Sequence, residues 1–201
     1  MIQSGKLPLF AALFATFFAG QGVAADRDPH PRVLLKTSEG DIVIELDRDK
    51  APVTVDNFLG YAQRGFYDGT IFHRAIKGFM IQGGGYTANF EKKPTEAPIK
   101  NEADNGLKNV RGAVAMARTA DPDSATAQFF IDAVDNPHLD FVSRTETGWG
   151  YAVFGKVVEG MEVVDRIQDI PTSSAGPFPR DVPRKTAVIE KAKLLPKSGR
   201  K

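Results

Sequence analysis

Seven or eight short runs of β-branched and aromatic residues, separated by turn sequences, dominate this chain of 201 residues. They lie at 33–36, 42–46, 72–76, 79–82, 112–117, 127–131, 151–158 and 186–195. Only two stretches carry helical spacing. One opens at Pro52, places Val55, Phe58, Leu59 and Ala62 on one face, and stops at Gly65. The other is short, begins near Gly160 and ends before Pro171. Such strands are too evenly spread for a βαβ pattern, and closure removes the open sheet edges. The expected fold class is therefore all-β dominated: a closed antiparallel barrel of these seven or eight strands with a helix over each end. Residues 87–106 and 173–183 read as loops. Residues 26–201 read as a single domain with short polar ends.

The first 25 residues read as a cleaved secretory signal peptide. Lys6 supplies the positive end, an apolar run covers 7–19, and Val23-Ala24-Ala25 precedes Asp26 as a cleavage site. The run is short for a bilayer span, so no stable membrane insertion is expected after cleavage; an uncleaved anchor is the alternative. Lys6 is the single charge before Asp26, so the remainder carries 25 basic and 25 acidic residues. No stripe of Lys and Arg stands out, and nucleic acid is not an expected partner. The absence of cysteine removes disulfides, thiol catalysis and Cys-based zinc sites. His30, His73 and His138 lie at no metal-ligand spacing, so neither metal nor other cofactor is expected. Without a heptad run or a long exposed apolar helix, the chain is expected to be a monomer.

Residues 70–86 combine an apolar background with one cation inside a strand run, Arg74, one amide, Gln82, and three consecutive glycines, Gly83 to Gly85, while Lys77 falls in the Lys77-Gly78 turn. Plain alternation puts Phe72, Arg74 and Ile76 on one face of a strand and His73 on the other. The glycines, read as following a strand that ends at Gln82, are not a phosphate loop, because no Gly-Lys-Ser/Thr follows. They fit a bulge or a close backbone approach. An apolar surface with few placed polar groups suits a pocket. No nucleophile–base set or Gly-x-Ser-x-Gly elbow accompanies it. One reaction needs only such a surface: rotation about an X–Pro peptide bond. Its barrier of about 18–20 kcal/mol comes from amide resonance. In the twisted transition state the proline nitrogen regains a localised lone pair, and a fixed N–H donor binds that form better than the planar one. Arginine, always charged and fork-shaped, suits the task. A binding module that holds Pro segments without turnover is the alternative.

Phe72-His73-Arg74 and Gly78-Phe79-Met80-Ile81-Gln82-Gly83-Gly84 resemble the signature of the cyclophilins, the cyclosporin-type peptidyl-prolyl cis-trans isomerases. Three later stretches, 112–117, 124–131 and 153–157, match in the family order. With its export signal and Asn101-Glu102-Ala103-Asp104-Asn105-Gly106, the chain looks most similar to periplasmic cyclophilins of Gram-negative bacteria. The resemblance implies an eight-stranded antiparallel closed barrel capped by two helices, with the site on its outer surface and Arg74 as the catalytic arginine. It implies a proline pocket of Phe79, Met80, Phe130 and Leu139, and peptide-holding amides on Gln82 and Gln128. The backbone around Ala117 and Arg118 would pair with the peptide as a strand. His138, Tyr151 and Arg118 stand where the best-known eukaryotic members carry tryptophan, histidine and asparagine. The first difference implies weak cyclosporin binding. Alternation conflicts with the motif at Phe79: either the strand starts after it or a bulge intervenes. The implied partners are proline-containing segments of unfolded or partly folded exported proteins, and the implied location is the periplasm.

Overall fold

A computed structural model describes Met1 and residues 28–197. Apart from Met1, the signal segment 1–25 and the cleavage site before Asp26 lie outside the described residues. β1 (Arg32–Thr37) and β2 (Gly40–Leu46) form the hairpin expected from the turn sequence between them. α1 (Pro52–Gln63) begins with proline at its first turn, where a missing N–H costs nothing. Val55, Phe58, Leu59 and Ala62 are all buried, as the spacing requires. Gly65 adopts φ 68° and stops the helix.

β3 (Thr70–Ile76), β4 (Met80–Thr87), β5 (Ala113–Met116), β6 (Phe129–Asp132), β7 (Val153–Glu159) and β10 (Val188–Leu194) complete a closed barrel. Its order is β1-β10-β3-β4-β6-β5-β7-β2, with every pairing antiparallel. Period-two alternation sorts the side chains into two clusters. Ile81, Val114, Met116, Phe129 and Ile131 point inward with the aromatic rings of Phe58, Phe72 and Phe154. Met80, Ala115 and Phe130 point outward and join a separate external cluster.

The helices close opposite openings. α1 follows β2 and sets Phe58 against Tyr67, just ahead of β3, with ring centroids 5.0 Å apart. α2 (Met161–Gln168) follows β7 and sends Val163, Val164 and Ile167 into the core. At the far end of β3, Gln168 Oε1 accepts the Gly78 N–H at 2.9 Å.

Three local expectations are corrected. Residues 173–183 are not a loop: β8 (Thr172–Ala175) and β9 (Phe178–Pro183) form a separate two-stranded hairpin against β3. The strand after Phe79 does not end at Gln82 but runs through all three glycines. Phe72 and Arg74 do not share a face. Phe72 opposes Gly83 and Arg74 opposes Gln82, so His73 is an extra residue in the ladder. That bulge resets the alternation: Phe72 packs inside on Phe129, whereas His73 stacks outside on Phe178 of the hairpin. Phe79 lies in the turn ahead of β4, its N–H bonded to Ile76 O at 3.0 Å; the strand does start after it.

Candidate active site

The external cluster opens into a cavity of about 110 Å³ lined by Arg74, Phe79, Met80, Gln82, Ala117, Arg118, Phe130, Leu139 and Tyr151. A water's share of liquid volume is about 30 Å³, so the space suits a small ring rather than a single solvent molecule. Adjacent pairing brings the floor together: Met80 faces Asp132, Gln82 faces Phe130 and Ala115 faces Phe130 across three neighbouring strands. Met80 and Phe130 are only 2% and 4% exposed. Tyr151 meets Phe130 edge-on at 5.6 Å.

Phe79 is held from behind. Its carbonyl accepts the Ala133 N–H at 2.9 Å and Asn136 Nδ2 at 3.1 Å. Asn136 Nδ2 also donates to Asp132 Oδ1 at 2.7 Å. Asp132 is fully buried, and that burial pushes its carboxyl up to about 7, against the opposing bond from Asn136. His73, 3% exposed, is pushed down to about 4 by burial and is neutral at pH 7.

Arg74 stands at the cavity edge with its side chain 39% exposed. Its Nη1 faces Gln82 Oε1 at 3.4 Å, and its Nε faces Asp181 Oδ2 at 3.7 Å. Gln82 Nε2 donates to Gln128 Oε1 at 3.1 Å, so the amides and the guanidinium form one row. Beyond that row lies a second groove of about 390 Å³, walled by His73, Tyr86, Phe178 and Asp181 among others. Gln128 lines this groove rather than the smaller cavity.

The structure gathers nine of the eleven sequence-predicted residues around the small cavity, with Gln128 beside them. His138 is exposed and stacks on Phe79 from outside, centroids 5.6 Å apart. Ala117 and Arg118 also make contacts within the chain. The Ala117 N–H is taken by Gln128 O at 3.0 Å. Arg118 contributes its side chain: the guanidinium lies 4.7 Å over the Tyr151 ring, and its Nε donates to Gly150 O at 2.8 Å. Asp181 was missed by sequence reasoning. The signal that could have found it is Gly176-Pro177, a turn pair between two short extended runs. Among the described residues, no group of three or more His, Asp or Glu is placed to hold a metal ion.

The site is thus a cleft on the outer face of a closed antiparallel barrel, edged by two guanidinium groups, those of Arg74 and Arg118, and by the amide of Gln82, with Gln128 beside it. Residues 32–194 match the family model described as cyclophilin type peptidyl-prolyl cis-trans isomerase/CLD. The chain is 55% identical over 165 residues to peptidyl-prolyl cis-trans isomerase A of Dickeya dadantii, covering 82% of this chain and 85% of that protein. It is 56% identical over 158 residues to peptidyl-prolyl cis-trans isomerase B of Escherichia coli, covering 79% and 96%. A cyclophilin type isomerase of Cryptosporidium parvum superposes with a TM-score of 0.67 at 28% identity, over 84% of this chain and 99% of that one. The chain belongs to the cyclophilin-type peptidyl-prolyl cis-trans isomerase family, and it is an isomerase of that class.

Proposed function

We propose that this isomerase acts on X–Pro bonds in exported, unfolded or partly folded proteins in a periplasm, as a monomer, with Arg74 stabilising the twisted amide. One observation carries the reading: a guanidinium stands at the rim of a cavity floored by apolar side chains and sized for a small ring. A relative of the same fold was crystallised in the presence of the dipeptide Ala-Pro, which supports a proline ring as the occupant. Phe79, Met80, Phe130 and Leu139 take the pyrrolidine ring. Gln82 and Gln128 hold the neighbouring peptide groups. As the amide twists, the proline nitrogen loses resonance and becomes a better acceptor, and a donor of Arg74 meets it. The interaction is stronger in the transition state than in the planar ground state, so it lowers the barrier. No bond is made or broken.

The export reading rests on the sequence pattern of residues 1–25. Its test is recovery of the chain from fractionated cells: a mature N-terminus near Asp26 in the periplasmic fraction is expected, and Met1 retained in the cytosol contradicts it. The client reading is tested on an exported protein whose refolding is limited by proline isomerisation. Wild type is expected to remove the slow phase and Arg74→Ala to leave it. An unchanged slow phase with both would favour a binding module instead.

A further inference from the structure

The search outside the small cavity leads to the β8–β9 hairpin. Its tip is packed, not free. Phe178 stacks on His73 at 5.0 Å and meets Tyr86 edge-on at 4.9 Å. Gly176 lies so close to Phe90 that an added Cβ would overlap its ring. Three residues after Phe178, Asp181 adopts φ 64°. That region disfavours residues with a Cβ, although Asp and Asn tolerate it better than others. A residue held in a sparsely populated conformation persists where its surroundings fix it, and such positions cluster at functional sites. Here the result is a carboxylate aimed at Arg74, with Oδ2 3.7 Å from Nε.

The guanidinium is thereby guided at two points. Nε faces Asp181, and Nη1 faces Gln82 at 3.4 Å. Both separations are longer than a full hydrogen bond, as is common at a site without substrate. Two other guanidinium groups border the same groove, those of Arg118 and Arg180. Arg180 Nε shares Asp181 Oδ2 at 3.6 Å. Without Asp181, the cation of Arg74 would face like charges and no anion across the groove. Because the guanidinium is a rigid plane, fixing its Nε edge fixes the direction of both terminal nitrogens.

We propose that Asp181 is a positioning residue for the isomerisation: it holds the Nε edge of Arg74 so that the terminal N–H groups stay turned to the cleft. The proposal rests on the reading of Arg74 as the catalytic donor. In this role Asp181 acts through Arg74. The rate of the bound step therefore depends on it, and peptide affinity does not.

The test uses the full chain with a short Ala-Pro peptide, kcat and KM being separated by NMR exchange analysis. Asp181→Asn and Asp181→Gly both tolerate the left-handed backbone, so the hairpin is retained, which near-UV circular dichroism checks. Each is expected to lower kcat about fivefold, the scale of one half-exposed ion pair, with KM unchanged within about twofold. In an Arg74→Ala background, Asp181→Asn is expected to add no further loss. An unchanged kcat in both Asp181 variants overturns the proposal. So does a change confined to KM, or an undiminished loss in the Arg74→Ala background. If Arg74→Ala itself leaves kcat at the wild-type value, the reading of Arg74 fails first.

Discussion

The side chain of Gln128 lies across Gly85 so closely that a Cβ at Gly85 would stand 2.5 Å from its Cγ and 2.7 Å from its Cδ. The missing side chain lets Gln128 reach over β4 and accept from Gln82 at 3.1 Å. The third glycine of the run thus makes room for a site residue.

Gly85→Ala should therefore displace Gln128 while leaving the barrel folded. KM for an Ala-Pro peptide is expected to rise about fivefold, the scale of one lost hydrogen bond, with little change in melting temperature. Gly84→Ala should do the reverse. Gly84 has φ 82°, and its added Cβ would stand 2.9 Å from the rings of Phe129 and Tyr67. That change should cost stability by about 1–3 kcal/mol, read by urea denaturation.

Two buried groups give opposite pH slopes. The Asp132 carboxyl, raised to about 7, holds a proton in the folded state that the unfolded chain has lost above its ordinary 3.8. Stability from this group falls as pH rises from 3.8 to 7. His73, lowered to about 4 from 6.5, stays neutral in the fold while the unfolded chain takes up a proton. Its contribution falls as pH drops from 6.5 to 4. Asp132→Asn should gain on wild type as pH rises through the first window, by roughly 2–4 kcal/mol. His73→Phe should gain on wild type as pH drops through the second, by up to roughly 3 kcal/mol. Denaturant curves of the three proteins at pH 4, 5.5 and 7.5 check both signs.

α1 has no side-chain cap of its own. Glu102, some fifty residues away in sequence, supplies one: it accepts the Val53 and Thr54 N–H groups at 3.1 and 2.8 Å and the Thr54 hydroxyl at 2.7 Å. A carboxylate there also meets the positive end of the helix. Glu102→Ala is expected to lower unfolding free energy by about 1–2 kcal/mol, with kcat/KM unchanged below the melting transition.

What was legible in the sequence followed from local rules. The barrel strands, α1 and its buried face are written in period-two and helical spacing, whereas Phe130 near Gln82 was implied by the family motif and is set by the pairing of β4 with β6. What escaped depends on contacts distant in sequence. The bulge at His73 cannot be read from alternation, because the extra residue shows only when β3 is laid against β4. The β8–β9 hairpin is polar, short and rich in proline, so it carries no apolar period. Its role comes from packing against β3, more than a hundred residues earlier. Asp181 could not be paired with Arg74 before that packing was known. For the same reason Arg74, which reads from sequence as a cation without a protein partner, has one.

The most direct measurement is cis-to-trans relaxation of a short Ala-Pro peptide with wild type and with Arg74→Ala, both shown to be folded by the same melting curve. Wild type should accelerate the exchange strongly, and Arg74→Ala should lose about 10²–10³ of that acceleration, the scale of removing one transition-state donor. A folded Arg74→Ala variant that relaxes the peptide as fast as wild type would contradict the role of Arg74 as the donor to the twisted amide.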